Sequence, residues 1–400
     1  MTPASSTTLI LQRFAMALAV AMLCACGRAP APVTHDVYVW QRAWHPALHD
    51  ALTQAADLAH AWRVLAAEAT PQGTLTSVAI DADALAATHR PVVLVVRIDG
   101  QLAGLDGAAL VREIVALRAR WQARGLAAAG IEIDHDCATA RLPAYAAWLA
   151  DLHRALGADT PLSITALPAW LASPALEQVL AQADESTLQV HAVRQPREGL
   201  FDPAIALRWT SDYARRMSRP FRVALPTYGT RVGFDADGKL SDIESETRTL
   251  HDAAERRELS VSPLAVAGFV ARVQARPPTH FTGWAWFRLP TADDSRAWRL
   301  ATWRAVVQGQ PLTATASVDW RRAESASLYD VVLVNRGEVD ADAPTHVALP
   351  AGCAQADGAN GYRLALASDT RALEAPDARL LAPHASRVIG WARCDHPPSL

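Results

Sequence analysis

Three carboxylates alternate along Gly130-Ile131-Glu132-Ile133-Asp134-His135-Asp136-Cys137. At a period of two, Glu132, Asp134 and Asp136 share one face of an extended strand, and Ile131 and Ile133 share the other. Acids this close repel, and apolar surroundings solvate them poorly. A plain structural strand has no use for the arrangement, but proton-transfer chemistry does. Neighbouring carboxylates raise the pKa of one of their number, which keeps a proton available. Glycoside cleavage needs such a donor, with a second group as base, nucleophile or charge stabiliser. Asp134 and Asp136 stand about 6.6 Å apart along the strand, a spacing that leaves the stereochemical outcome open. Asp136, nearest the strand end, is the candidate acid. Asp134 would tune it and steady positive charge on the substrate. Glu132 lies deeper and reads as structural, a partner for Arg97. Glu68 is a second candidate acid or base, or one half of a salt bridge. The plainer reading of the acidic run is a solvated strand end with one charge paired to an arginine.

Seven other segments share this design, an apolar run closed by polar or aromatic residues. They are 37–40, 63–68, 92–97, 162–165, 188–191, 221–225 and 284–287. Helix-like stretches separate most of them, and strands alternating with helices imply a parallel sheet with right-handed crossovers. Eight such units predict an α/β fold, a (β/α)8 TIM barrel over residues 36–310. Active sites in that fold sit at the C-terminal ends of the strands. Trp40, Glu68, Arg97, Asp134, Asp136, Thr165, Gln189, His191, Tyr228 and Trp286 all fall at those ends. Trp40, Tyr228 and Trp286 could stack on sugar rings, and each also suits a barrel core. The connecting helices are expected over 46–62, 102–124 (closed by Gly125), 139–156 (stopped by Gly157) and 293–307. Ser173 and Asp202 read as N-caps, with Pro174 and Pro203 after them. The connection 229–278 is the longest and opens with a Gly- and Asp-rich loop over 229–241, the kind that shapes a cleft.

Arg13 precedes an apolar run, 14–25, that is shorter than the ~20 residues a bilayer span needs. The run ends in Leu23-Cys24-Ala25-Cys26-Gly27, which resembles a bacterial lipobox with Cys26 as the lipidated residue. Residues 1–26 are therefore expected to be a lipoprotein signal peptide, or an ordinary cleaved one, and 27–35 a tether. Either reading exports the chain to the cell envelope. Lipidation would anchor it, with Gly27 favouring an outer membrane and a periplasmic face by analogy with lipoprotein sorting. A net charge of −3 without a basic run argues against nucleic acid as a partner. No cofactor motif is found.

Past Pro311 the helical periodicity stops. Short strands are expected at 313–320, 328–335, 345–349, 363–367, 378–381 and 387–391, forming a small antiparallel β-sandwich over 311–400. Cys353 and Cys394 lie in it and could bridge in an oxidising compartment. Cys137 would then be a small buried thiol.

The runs 37–42, 130–136, 162–168, 188–191 and 224–229 resemble an uncharacterised family of bacterial exported proteins, known as a domain of unknown function. That resemblance implies a barrel and an envelope location, and no established activity. The chain is also similar, more distantly, to chitinase-type glycoside hydrolases. Their acidic strand ends in a Glu that protonates the glycosidic oxygen, and Asp136 stands at that position, one methylene shorter. Leu225-Pro226-Thr227-Tyr228-Gly229 matches their seventh strand. Trp284 or Trp286 would be the tryptophan flooring the sugar site. His191 stands near the place of a Tyr that meets the substrate amide.

Three functions follow as expectations. One is an envelope glycoside hydrolase working by carboxylate acid/base catalysis. Another is a non-catalytic glycan-binding lipoprotein. The third, a metal-dependent hydrolase using Asp134, Asp136 and His191, has a sparse ligand set without a known spacing. The sequence leaves the oligomeric state open.

Overall fold

The computed structural model describes residues 32–69, 75–98, 106–191, 199–244, 254–313, 315–323, 327–367, 370–377 and 379–396. The leader, Cys26 and most of the tether lie outside these residues. From Thr34 onward the chain forms one compact unit.

Eight parallel strands close a barrel: β1 (Thr34–Val39), β2 (Ala61–Ala69), β4 (Val92–Ile98), β5 (Ala128–His135), β6 (Leu162–Ala166), β7 (Glu185–Gln189), β8 (Phe221–Pro226) and β12 (Phe281–Phe287). Closure is made by β1, which pairs with β12 on one side and β2 on the other. The strand β3 (Leu75–Ser77) pairs antiparallel with β2 at the edge of the sheet. Alternation decides what faces where. Tyr38, Trp40, Leu65, Val95, Ala224 and Ala285 form one cluster inside the barrel. Their neighbours Val37, Val39, Val64 and Leu94 are buried toward the helices. Gly283 is required on the inner face of β12, because a Cβ there would collide with Thr34 and the Arg222 guanidinium.

Several helices begin where a side chain caps them. Asp106 accepts from the Ala109 N–H (2.9 Å) ahead of α3 (Gly107–Ala123), with α1 (Pro46–Ala55) and α2 (Ala82–Ala87) before it. Asp202 accepts from the Ala204 and Ile205 N–H groups ahead of α6 (Pro203–Ala214). Each such cap contributes about 1 kcal/mol. α4 (Leu142–Leu156) stops at Gly157, whose φ of 76° suits glycine. α5 is only Leu176–Leu180, preceded by a 3₁₀ turn, and α7 is Pro263–Ala275.

Three expectations are corrected here. The first helix ends at Ala55 rather than at Trp62, because Ala61 and Trp62 already belong to β2. The last helix, α8, is Leu300–Val307 rather than 293–307, because Asp294 caps the turn at Arg296 and Ala297 and the helix starts afresh at Arg299. The segment expected as a Gly- and Asp-rich loop instead builds a three-stranded antiparallel sheet, with β9 (Thr230–Phe234) between β10 (Leu240–Glu244) and β11 (Glu255–Leu259).

The C-terminal residues form antiparallel sheets. One holds β13 (Ala316–Arg322), β14 (Leu328–Asn335), β21 (Ser386–Cys394) and β17 (Cys353–Gly358), in that spatial order. Another holds β16 (His346–Ala348), β19 (Thr370–Glu374) and β18 (Arg363–Ala367). The pair β15 (Ala341–Asp342) and β20 (Leu380–Leu381) completes the set. Val331, Leu333, Leu373 and Ile389 anchor the core between them. Cys353 and Cys394 are register partners on β17 and β21 and are bonded.

Candidate functional site

The site is built on a charged plug low in the barrel. Arg63, 2 % exposed, donates to Asp36 Oδ2 (2.9 Å), to Glu185 Oε2 (2.7 Å) and to Glu132. Arg222 also meets Asp36 (3.1 Å) and Glu185 (2.9 Å). Two guanidiniums face three carboxylates, one acid more than the arginines can match, and His60 Nδ1 meets Asp36 Oδ1 at 3.0 Å from the edge. Burial pushes the Glu132 carboxyl up, against the pull of Arg63 and the Tyr38 hydroxyl. Tyr38 donates to Glu132 Oε1 (2.7 Å) and closes the layer from above. The pairing of Glu132 with Arg97 expected from sequence is therefore corrected. Its partner is Arg63, which sits in the same lower layer.

One layer higher lies Asp134. It is buried, and both its oxygens accept hydrogen bonds. Arg97 Nη1 donates to Oδ2 (2.8 Å), while Thr165 Oγ1 (2.8 Å) and Gln189 Nε2 (3.2 Å) donate to Oδ1. Arg97 reaches on to Asp136, with Nη2 3.6 Å from Oδ2. The same guanidinium lies over the Trp40 ring, 6.0 Å from its centroid. Arg97 is thus the pivot of the rim. It touches both carboxylates proposed for catalysis and one aromatic proposed for stacking.

Above this floor is a small cavity walled by Trp40, Asp134, Thr165, Gln189, His191 and Phe287. The space open to a water centre is about 10 Å³, room for a single water. His191 is buried and stacks on Phe287 (5.6 Å) with Tyr228 edge-on (5.7 Å). Its Nδ1 faces the Tyr228 hydroxyl at 3.5 Å. Its Nε2 has no protein partner. Burial lowers the imidazole pKa to about 4, so the ring is neutral at pH 7. A buried neutral nitrogen without a protein partner suits a hydroxyl, an amide or a water.

The other candidates are placed as follows. Glu68 is held by Arg42 through two contacts, 2.6 and 3.0 Å, apart from the Asp134 cavity. Asp136 lies at the open rim, its side chain 56 % exposed. Trp286 is corrected. It points away from the barrel interior and packs against Trp298 and Trp303 of the helix layer, with its indole N–H on His35 Nδ1 (3.0 Å). Trp284 likewise packs on Phe269 of α7. Phe287 supplies the ring from that strand, and sequence reading missed it. Its signal was the alternation of Gly283, Ala285 and Phe287, in which the small residues mark the crowded inner face. Tyr38, the direct partner of Glu132, was also missed, whereas Thr165, read as a polar strand-end residue, meets Asp134. Cys137 is buried, and burial lifts its thiol pKa to about 11, so it is no nucleophile. Among the described residues no group of three or more His, Cys, Asp or Glu is placed to hold a metal ion. The metal reading also conflicts with Arg97, which occupies the space between Asp134 and Asp136.

Comparison with known proteins agrees with the architecture. A domain of unknown function, DUF3142, matches residues 88–292, and a second one, DUF8456, matches residues 318–395. No curated protein matches the chain. The chain is similar in structure to a chitinase from Chromobacterium violaceum, with TM-score 0.50 and 18 % identity, covering 70 % of this chain and 99 % of that one. It is similar also to the Bacillus cereus spore cortex-lytic enzyme SleL, with TM-score 0.50 and 12 % identity, covering 70 % and 75 %. At these identities the likeness establishes a glycoside hydrolase-like fold.

Proposed function

We propose a function from one premise: the chain belongs to the DUF3142 family of domains of unknown function. On that premise, and on a barrel built like those of glycoside hydrolases, the protein binds a glycan at the C-terminal end of its barrel without cleaving it. The observation that carries this reading is Arg97, which engages Asp134 and Asp136 together. Asp134, which receives hydrogen bonds from Arg97, Thr165 and Gln189, acts as an acceptor and not as a proton donor, and Asp136, the candidate acid, has the Arg97 guanidinium 3.6 Å from its Oδ2. Glu68, the remaining candidate acid, is engaged by Arg42. A cavity with room for one water would admit a single sugar hydroxyl, with Trp40, Phe287, Gln189 and the His191 imidazole around it. Such a mixture of ring faces and a few placed polar groups is what ligand pockets use.

Hydrolysis is the second reading. Asp136 favours it, because its side chain is mostly exposed at the strand end, where an acid would meet a glycosidic oxygen. That mechanism requires Arg97 to release Asp136.

The location proposed is the cell envelope, with the chain held by a lipid on Cys26 and facing the periplasm. The bonded pair Cys353 and Cys394 supports export, because disulfides persist in oxidising compartments.

Calorimetric titration of the full chain with a β-1,4-linked hexamer of N-acetylglucosamine, and with the matching glucose hexamer, tests the binding reading. One of them should bind, and His191→Phe, which fills the cavity with an apolar ring, should weaken it at least tenfold. No heat with either sugar would reject the reading for these glycans.

A further inference from the structure

We propose that the C-terminal domain carries its own carbohydrate platform, centred on Trp391, on the outer face of the four-stranded sheet. Strand register places Arg321, Asp330, Trp391 and Asp357 in one row across β13, β14, β21 and β17. Directly opposed residues point to the same face, with Cβ atoms about 5 Å apart. Trp391 is 37 % exposed and Val388 38 %, so this face carries apolar surface in solvent. The opposite face of the same strands, Tyr329, Val331 and Ala392, is core. The next row across the sheet places Leu328, Arg393 and Gln355 side by side.

The chemistry of the row selects its occupant. An indole with a carboxylate on each side fits a pyranose ring. The C–H face of the sugar lies on the indole, while its hydroxyls donate to Asp330 and Asp357 and accept from Arg393 and Gln355. The carboxylates oppose an anionic membrane surface. The platform is separate from the barrel mouth, and the inference stands independently of the reading of the Arg97 site. With both sites in one chain, the protein would grip a glycan strand at two places and gain affinity by linkage.

The experiment uses the full chain with His191→Phe, which suppresses the barrel cavity, titrated by calorimetry with the N-acetylglucosamine and glucose hexamers. Binding of at least one hexamer is expected to persist. Adding Trp391→Ala should weaken it at least tenfold, and Trp391→Phe should stay within about threefold of the His191→Phe parent, all with matched melting temperatures. Because Trp391 is exposed, these variants should fold. Asp330→Ala with Asp357→Ala gives a second test, again a tenfold loss. The proposal is overturned if Trp391→Ala leaves the affinity unchanged, or if the His191→Phe chain binds neither hexamer. It is also overturned if Trp391→Ala turns a dimer into a monomer in sedimentation, which would make a second copy of the chain the occupant. Loss of binding from Trp391→Ala alone, with His191→Phe silent, keeps the platform and removes the barrel site.

Discussion

Arg97 and Asp134 lie side by side on neighbouring barrel strands, Nη1 to Oδ2 at 2.8 Å, and the same guanidinium reaches Asp136 at 3.6 Å. Their register partnership fixes this contact. The buried member is Asp134, so Arg97→Met removes its one charged donor and leaves Thr165 and Gln189. A loss of about 1–3 kcal/mol is expected from that one lost donor. Urea unfolding of the variant checks the figure. An unchanged midpoint would show that the bridge contributes nothing to stability.

The charged plug predicts an asymmetry between its members. Arg63→Met leaves buried Glu132 without its guanidinium, while Asp36 and Glu185 keep Arg222, and should destabilise by about 3–5 kcal/mol. Glu132→Gln removes the unmatched acid while keeping shape, and should cost far less. Paired denaturation curves at pH 7 decide it, and equal losses would contradict the unmatched-acid account. The sign of the pH effect follows from Glu132, whose folded pKa is raised by burial. Its contribution to stability is full at acid pH and is lost as pH rises above the ordinary carboxylate range. Glu132→Gln should flatten that part of the curve.

His191 predicts the opposite slope. Its pKa falls from 6.5 unfolded to about 4 folded, because burial disfavours the imidazolium. Its share of stability is complete above pH 6.5 and is lost as pH drops toward 4. The linkage amounts to about 3 kcal/mol. His191→Phe should be correspondingly less acid-sensitive when unfolding is compared at pH 7 and pH 4.5. His35, lowered to about 4 in the same way, keeps part of the slope. Identical slopes in wild type and His191→Phe would refute the assignment.

The C-terminal domain reaches the barrel through Asp340. Its Oδ2 accepts from the Arg299 N–H (2.7 Å) and from Thr302 Oγ1 (2.6 Å), so it acts as a cap for α8 supplied from outside the helix. Asp340→Ala should cost about 1–2 kcal/mol, the value of a lost cap. Thermal denaturation measures it, and a change below 0.3 kcal/mol, roughly the scatter of such comparisons, would remove the capping role.

Much of this architecture was legible because it rests on local periodicity. Alternation in 130–136 placed three acids on one face, and the recurrence of similar segments implied the barrel. What alternation withholds is which face turns inward. Trp286 looked like a rim aromatic, yet on β12 the neck between Thr34 and Arg222 admits only Gly283 and then Ala285, so both tryptophans turn out. Arg63 was opaque for another reason. Its partners Asp36, Glu132 and Glu185 lie 27, 69 and 122 residues away in sequence, and nothing local announces them. The β9–β11 sheet was hidden by composition. Its strands are short and carry Arg231, Arg256, Arg257 and Glu258 among few apolar residues, so the turn residues dominated the reading.

Release of sugar product is the most direct test of the claim that Arg97 leaves the rim able to bind but not to cleave. Wild-type chain incubated with the N-acetylglucosamine and glucose hexamers, and analysed by mass spectrometry, should return each hexamer intact under conditions where binding is saturated. Shorter oligomers that appear with wild type and vanish with Asp136→Asn, while the fold survives, would contradict the account and make Asp136 the acid of a working hydrolase.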